Sequence, residues 1–356
     1  MNERSDQQMR EFIKMWMQQR AAESYERFYL QETPEEQRIY REILDTYLHM
    51  KASQRVSSTD WHKICRINRY VQQDHPELFY MDINQGFVHD DHTEVEFQLT
   101  EPLAEIDRTI RKMDTALTKL RGYTNKMSDF EKELFVHHVI VREVDYLKKE
   151  DLPIYDAHSV FLHKAAVCAG ISNTVALMLN YIGVKAFTVR GFTQGYGDEK
   201  PGRHRWNMVQ IHGGFYHLDV TFDNTLSGHS AEEVLDYVNL TDEAIRRDHT
   251  PLDDQVFPAA TRPMDYYSLK NLIFTPHSQQ LTDFIIKTSR EEPDYFSFKV
   301  NRRLTHELMD EIAPDIWDAL RRANELQNYY IRRFNADQDT VTLMKESLRP
   351  PKEDKK

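Results

Sequence analysis

The stretch 165–184, AAVCAGISNTVALMLNYIGV, constrains the fold more than any other part of the chain. Ile171, Val175, Met178 and Ile182 recur at helical spacing, and Gly183 is suited to ending the helix. Apolar residues dominate the remaining faces too, which predicts a buried helix rather than a surface one. Ser172, Asn173, Thr174 and Asn180 interrupt the stretch, and the chain has no run of about eighteen apolar residues to span a bilayer. Immediately beyond, the hydrophobic period switches from helical to two: strands are predicted through AFTVRGF, RWNMVQI and FYHLDV. A buried helix followed by three strands predicts an α+β core.

The flanks read differently. Up to about residue 80 the pattern is helical. TPEE at Thr33–Glu36 combines a Thr cap, a Pro at the first helical position and a Glu three residues after the cap. A further helix runs from about Asp60 and must end near His75, ahead of Pro76. Val95, Phe97 and Leu99 alternate as in a strand. Leu103 to Leu120 marks a long amphipathic helix expected to stop at Gly122, and SDFE at Ser128–Glu131 is a capping box that opens another. Past about Tyr266 come a helix from Ser278, the strand YFSFKV, helical turns through Trp317 and Leu320, and the strand pair YYIRRF and TVTLMKE. The expected organisation is therefore a mostly helical N-terminal region at 1–100, a core at 101–250, a small α+β region at 251–348 and a disordered tail at 349–356.

Composition excludes several classes of function. Of the 356 residues, 29% are charged and 40% hydrophobic, as in a globular protein, and the formal net charge is -12. That balance argues against a nucleic-acid partner and against attraction to anionic membranes. Two cysteines cannot build a disulfide framework or a Cys-rich zinc site, and the first residues lack the apolar segment of a secretory signal. A cytoplasmic location is expected, with no cofactor or metal.

Cys168 opens the buried helix, where unpaired backbone N–H groups and the helix dipole favour a thiolate. A lone cysteine is more often a small buried filler. Two later stretches weigh against that reading. GRHRWNMVQI places His204 at the entrance of one strand, and HGGFYHLDVTFDN places Asp219 on the next, with Gly213 in the hairpin turn. With His212–Gly213 as the turn, His204 lies opposite Thr221 and Trp206 opposite Asp219. With Gly213–Gly214, His204 faces Asp223 and Met208 faces Asp219. Either register keeps His204 and Asp219 on one face. A thiol at a helix start, an imidazole to take its proton and a carboxylate to orient the imidazole form a set for nucleophilic acyl chemistry. Asp223 competes for the acid's place.

In VCAG at 167–170, HRWN at 204–207 and DVT at 219–221, with the intervening YIGVKAFTVRGF, the chain resembles the transglutaminase-like superfamily of papain-type cysteine enzymes. The resemblance is nearest to bacterial members with extra flanking regions, through DHPELF at 74–79 and the helix around His137. It implies a transglutaminase-like, papain-like core in which Cys168 is the nucleophile, His204 the general base and Asp219 the orienting acid. It further implies cysteine-dependent acyl transfer on amide bonds of a peptide or protein substrate, through a thioester, as a peptidase, amidase or transglutaminase. Ala169, Ile171, Arg205 and Phe222 depart from the family pattern and bear on the substrate channel. A non-catalytic interaction module that keeps the fold is the rival reading, and a metal hydrolase a distant third. The Cys168 N–H is the natural first oxyanion donor, with Tyr155 and His158 as candidates for a second. The Gly- and charge-rich TQGYGDEKPGR before His204 could form a lid or a substrate rim.

The remaining chemistry-bearing residues read as structure. HDDH at His89–His92 is expected to be a solvated loop. His137 and His138 are neighbours about 100° apart on a helix, and His158 and His163 lack the spacing of a zinc pair. Cys65 lies near the apolar face of its helix beside Trp61 and Ile64, as core filler.

Overall fold

The computed structural model describes residues 5–147, 155–194, 202–228, 232–252 and 255–349. Residues 195–201 of the predicted lid stretch, which runs from 193 to 203, and the tail from 350 lie outside the described residues. Helices α1 (Asp6–Ala21) and α2 (Pro34–His49) each open on a capping box, Ser5 with Gln8 and Thr33 with Glu36. Helix α3 (Trp61–Asp74) starts where the Asp60 side chain accepts from the Lys63 N–H, and it ends ahead of Pro76. Strands β1 (Ser53–Val56), β2 (Met81–Val88) and β3 (Thr93–Leu99) form an antiparallel sheet in the order β1-β3-β2. Of these only β3 is legible as alternation. The four residues of β1 are too few, and a register shift between Ile83 and Gln85 breaks the period in β2.

The turn after α3 ties the N-terminal helices together. The Asp74 carboxylate accepts from the N–H groups of Phe28 and Tyr29, each at 3.1 Å, and from the Tyr40 hydroxyl at 3.0 Å. Buried His75 bridges Glu77 at 3.1 Å and Glu26 at 3.2 Å. Burial opposes its charge, yet these carboxylates push it up to about 9.

Helix α4 (Leu103–Thr124) runs two residues past Gly122, where it was expected to stop. That glycine is exposed in the last turn with open space around it, so it costs only helix propensity, about 1 kcal/mol. Helix α5 (Asp129–Glu143) begins at the Ser128 capping box. The chain continues through β4 (Asp145–Tyr146), α6 (Ala157–His163) and β5 (Ala165–Ala166) into α7 (Cys168–Tyr181), buried from Gly170 onward. Strands β6 (Ala186–Thr193), β7 (Gly202–Ile211) and β8 (Gly214–Leu218) follow as predicted. Then come α8 (Val220–Ser227), α9 (Asp242–Ile245) and the short β9 (His249–Pro251), giving a sheet ordered β8-β7-β6-β9.

The polar residues inside α7 have structural partners. Asn180 mimics a strand, donating to the Ala186 carbonyl and accepting its N–H, both at 2.9 Å. Thr174 Oγ donates to the Gly170 and Ala157 carbonyls. Asn207 on β7 donates to the Ser172 carbonyl at 2.9 Å, which pins the sheet to the helix.

The C-terminal part comprises α10 (Tyr266–Leu269), β10 (Ile273–Phe274), α11 (Gln279–Arg290), β11 (Tyr295–Val300), α12 (His306–Ala323), β12 (Tyr329–Asn335) and β13 (Thr340–Lys345). Its sheet is ordered β10-β11-β13-β12. Leu281, Ile285, Phe298, Ile312, Ile316 and Leu343 belong to a core of its own. By contrast, the N-terminal helices and the α7 region share one continuous cluster from Ile13 to Ala260. Among the described residues no helix is long and apolar enough to cross a membrane.

A buried polar node joins the two cores. Asp236 accepts from Tyr267 Oη at 2.9 Å, Thr340 Oγ1 at 2.8 Å, Asn335 Nδ2 at 3.1 Å and Arg333 Nη1, while Arg333 Nη2 donates to Glu232 at 2.6 Å. Arg333→Met would remove the guanidinium that buried Asp236 and Glu232 share. Breaking a buried pair in this way costs about 3–5 kcal/mol. Urea unfolding should show a loss of that order, and a loss below about 1 kcal/mol would mean that the node does not hold the two cores together.

Candidate active site

Cys168 is the first residue of α7, after Val167 in extended conformation, so its N–H is one of the donors the helix leaves unpaired. The thiol is partly buried and lines a cleft of about 530 Å³ with His204, Arg205 and Tyr155. β7 and β8 turn at His212–Gly213, whose φ values of 48° and 80° suit a two-residue hairpin. Ile211 pairs with Gly214 and Asn207 with Leu218, the first of the two registers considered.

The expectation that Asp219 lies on a strand is corrected. β8 ends at Leu218, and Asp219 is the cap of α8, with Oδ1 accepting from the N–H groups of Thr221 at 2.9 Å and Phe222 at 3.0 Å. Aspartate satisfies two otherwise unpaired helix donors here, so capping ends the ladder before Thr221 can pair opposite His204. The other oxygen, Oδ2, accepts a hydrogen bond from His204 Nε2 at 2.6 Å. Nε2 thus engaged, Nδ1 is the ring nitrogen left for the Cys168 thiol, which lines the same cleft and is close enough for the imidazole to favour its thiolate.

The electrostatics follow from this chain. Burial would raise the Cys168 thiol, but the hydrogen bond and charge of His204 and the Arg205 backbone N–H hold it below its ordinary range. Burial likewise opposes the His204 charge, yet Asp219 and Cys168 push it up to about 10. At Asp219, His204 and His249 outweigh burial and keep its carboxyl ionised. A lowered thiol beside a raised imidazole favours a thiolate–imidazolium pair.

The sequence reading missed His249. Its Nε2 donates to the same Asp219 Oδ2 at 2.9 Å, and its Nδ1 lies 2.5 Å from Asp248 Oδ1, which makes it an imidazolium between two carboxylates. Burial opposes that charge, but the two carboxylates hold the ring above its ordinary range. Tyr237 donates from its hydroxyl to the other oxygen of Asp248. Three-residue β9, which pairs His249 with Thr193, carries no periodicity, so nothing in the sequence pattern marks the residue.

Aromatic rings hold this cluster in place. Trp206 stacks on His204 at 6.1 Å between centroids, and its Nε1 donates to His217, which in turn bonds to Asp242 at 3.0 Å. Phe222 meets the edge of His204 at 5.1 Å and His249 at 4.6 Å. Gly191 faces His204 across the ladder, and a Cβ there would lie 2.3 Å from the Thr250 carbonyl and 2.7 Å from the Trp206 ring. Only glycine admits both.

Asp223 is placed elsewhere. It lies on α8, fully buried, accepting from the Asp236 N–H at 3.1 Å and the Tyr237 N–H at 3.2 Å, with Oδ2 2.9 Å from His137 Nε2. Burial and the charge of Asp236 raise its carboxyl strongly, and burial pushes His137 down to about 4. Both shifts favour a neutral pair, with the proton on the carboxyl rather than on both ring nitrogens.

Tyr155 is exposed at the cleft, whereas His158 is buried against Phe79 with rings 4.3 Å apart and does not line it. HDDH forms the exposed turn between β2 and β3, where the His89 N–H donates to the His92 carbonyl. Cys65 is partly buried, and burial raises its thiol. Among the described residues, His204, Asp219 and His249 form one group with the donor set for a metal. Their contacts of 2.6 and 2.9 Å are shorter than the separation of roughly 3.3 Å between tetrahedral ligands about 2.0 Å from zinc. They fit hydrogen bonding better than ligation.

No curated protein matches the sequence. Two solved structures are similar over part of it. A candidate cysteine protease from Cytophaga hutchinsonii is 12% identical over 52% of this chain and 85% of its own, with a TM-score of 0.29. A candidate protease from Parabacteroides distasonis is 13% identical over 52% of this chain and 43% of its own, with a TM-score of 0.27. Neither likeness carries a residue's role over to this protein. The family model of the transglutaminase-like superfamily matches residues 118–220, a span that takes in Cys168, His204 and Asp219. Over this segment the α+β chain is similar to the transglutaminase-like superfamily.

Proposed function

We propose that the protein is a cysteine-dependent acyl transferase or amidase acting on amide bonds of peptide or protein substrates. The observation that carries this reading is the continuous chain from the Cys168 thiol through His204 to Asp219, open to a cleft. The Cys168 thiolate attacks the amide carbonyl carbon, and a C–S bond forms as the C=O electron pair moves onto oxygen. The Cys168 N–H at the start of α7 is the donor nearest this oxyanion. The tetrahedral species collapses, the C–N bond breaks, and His204 Nδ1 gives its proton to the leaving amine. Water or a second amine then attacks the thioester, returns a proton to His204 and releases the thiolate. Asp219 keeps the imidazole in the tautomer and orientation that this cycle needs.

Alkylation distinguishes this site from an inert fold. Iodoacetamide should modify Cys168 at pH 6 to 7 much faster than Cys65, whose thiol is raised rather than lowered. Protonation removes the thiolate as pH falls, so the wild-type rate should hold its plateau to lower pH than a free thiol does. In His204→Ala the rise should move up toward the free-thiol value of about 8.5. Folded protein in which Cys168 labels no faster than Cys65 would favour a binding module instead.

Three acidic and imidazole positions separate positioning from structure. Asp219→Asn should reduce turnover by roughly 100-fold or more, less than the about 10⁴ of a serine triad, because the Cys168 thiolate also supports the imidazolium. Asp223→Asn should stay within about tenfold, since an amide N–H can replace the protonated carboxyl toward His137. His249→Gln removes the second cation from Asp219, so His204 should hold its proton to higher pH, shifting the alkaline limb of the pH–rate profile upward. An unshifted limb would make His249 a packing residue only.

A further inference from the structure

A groove of about 320 Å³ lies along α4 and shares no lining residue with the Cys168 cleft. Helices α4 and α5 are joined by residues 125–128 alone, a connection short enough to fold two helices against each other. Here they do not pack along their lengths: α4 packs on α1, α6 and α7, and α5 on α7 and α8. Leu117 and Leu120 of α4 and Ile140 and Val144 of α5 therefore face a gap whose floor is Val160 of α6 and Met178 of α7. These side chains are all buried, yet the gap itself is unfilled.

The mouth of the groove carries two aromatic rings and an unpaired cation. Tyr123 is 68% exposed, and its ring lies 6.1 Å from that of Phe135. Lys164 and Glu143 neutralise each other at 2.6 Å. Lys119 has no such partner among the described residues. Three and four residues from it on α4 stand Thr115, Ala116, Gly122 and Tyr123, so the helix itself offers it no acid. An apolar slot with a few polar groups at its rim is the general form of a small-molecule site, and such sites occupy roughly 300–1,000 Å³. This groove lies at the low end of that range. A docking helix, about 10 Å across with its side chains, is too thick for it. A single alkyl chain is not.

We propose that this groove binds an alkyl carboxylate of medium chain length, with the chain against Leu117, Leu120, Ile140 and Met178 and the carboxylate at Lys119. The inference does not depend on the acyl-transfer reading of Cys168. The chain displaces water from an apolar slot that the protein leaves unfilled, and each buried methylene tightens binding about fourfold until the slot is full. The carboxylate stays at the rim, where Lys119 meets it on a flexible stem while its ammonium remains in water. Helix α7 runs from Cys168 in the cleft to Met178 at this groove, so one helix touches both cavities.

The test is isothermal titration calorimetry of the full chain with hexanoate, decanoate and decyltrimethylammonium, each below its micelle-forming concentration. A single decanoate should bind per chain, about tenfold tighter or more than hexanoate. It should also bind about fivefold tighter than decyltrimethylammonium, which keeps a long chain and inverts the charge, and this advantage should shrink with added salt. Ala116→Trp, at an exposed position that lines the groove, should fill it and weaken decanoate by about tenfold or more. Lys119→Glu, also at an exposed position, should reverse the preference between the two long-chain probes. Absence of saturable decanoate binding to the wild type would overturn the proposal and leave the groove to a side chain of a partner protein. Affinity kept in folded Ala116→Trp would place the ligand elsewhere and overturn the site. Equal affinity of the wild type for the two long-chain probes would overturn the role of Lys119 and with it the carboxylate class.

Discussion

The Asp219 carboxylate is the point on which the site depends. Its two oxygens accept four hydrogen bonds: two from the N–H groups that start α8, one from His204 and one from His249. One residue therefore ends a strand, begins a helix and fixes the imidazole beside Cys168. A buried carboxylate is costly unless its acceptor capacity is filled, and here it is filled from three elements. The position of β9 matters for the same reason, since it brings in the fourth donor.

Around that carboxylate the charges alternate: Cys168 thiolate, His204, Asp219, His249. Each ion is flanked by opposite charge, so burial that would neutralise any one of them alone leaves the chain ionised. Trp206 and Phe222 exclude water from the rings of both histidines, which strengthens every contact in the chain. Trp206 holds its stacking position through the His217–Asp242 pair, and Gly191 leaves the space its ring occupies.

Two Asp–His contacts four residues apart along the chain end in opposite protonation states. Asp219 meets two imidazoliums and stays ionised. Asp223 has one histidine, one neighbouring acid and complete burial, and the proton resides on its carboxyl. The residue types are the same, and the surrounding charge decides between an ion pair and a neutral hydrogen bond. The first is suited to holding a protonated base beside a thiol. The second joins α5 to α8 without burying a charge.

Sequence by itself determined the local order of the molecule. The capping boxes at Ser128 and Thr33, the period of α7, and the strands from Ala186 through Leu218 were legible because caps and hydrophobic periodicity act within one element. Cys168 and His204 were legible for the same reason, each tied to an element's end, and period two placed Asp219 on the His204 face without any long-range information. The limits were equally physical. Whether Asp219 continued the strand or capped a helix turned on two backbone N–H groups that only the folded turn presents. The strands β1 and β2 were hidden by shortness and by a bulge. His249 and the groove along α4 depend on segments far apart in sequence meeting at one place, β9 against β6 and α4 against α6 and α7. Tertiary packing alone decided those, because contacts between distant elements leave no periodic trace in either one.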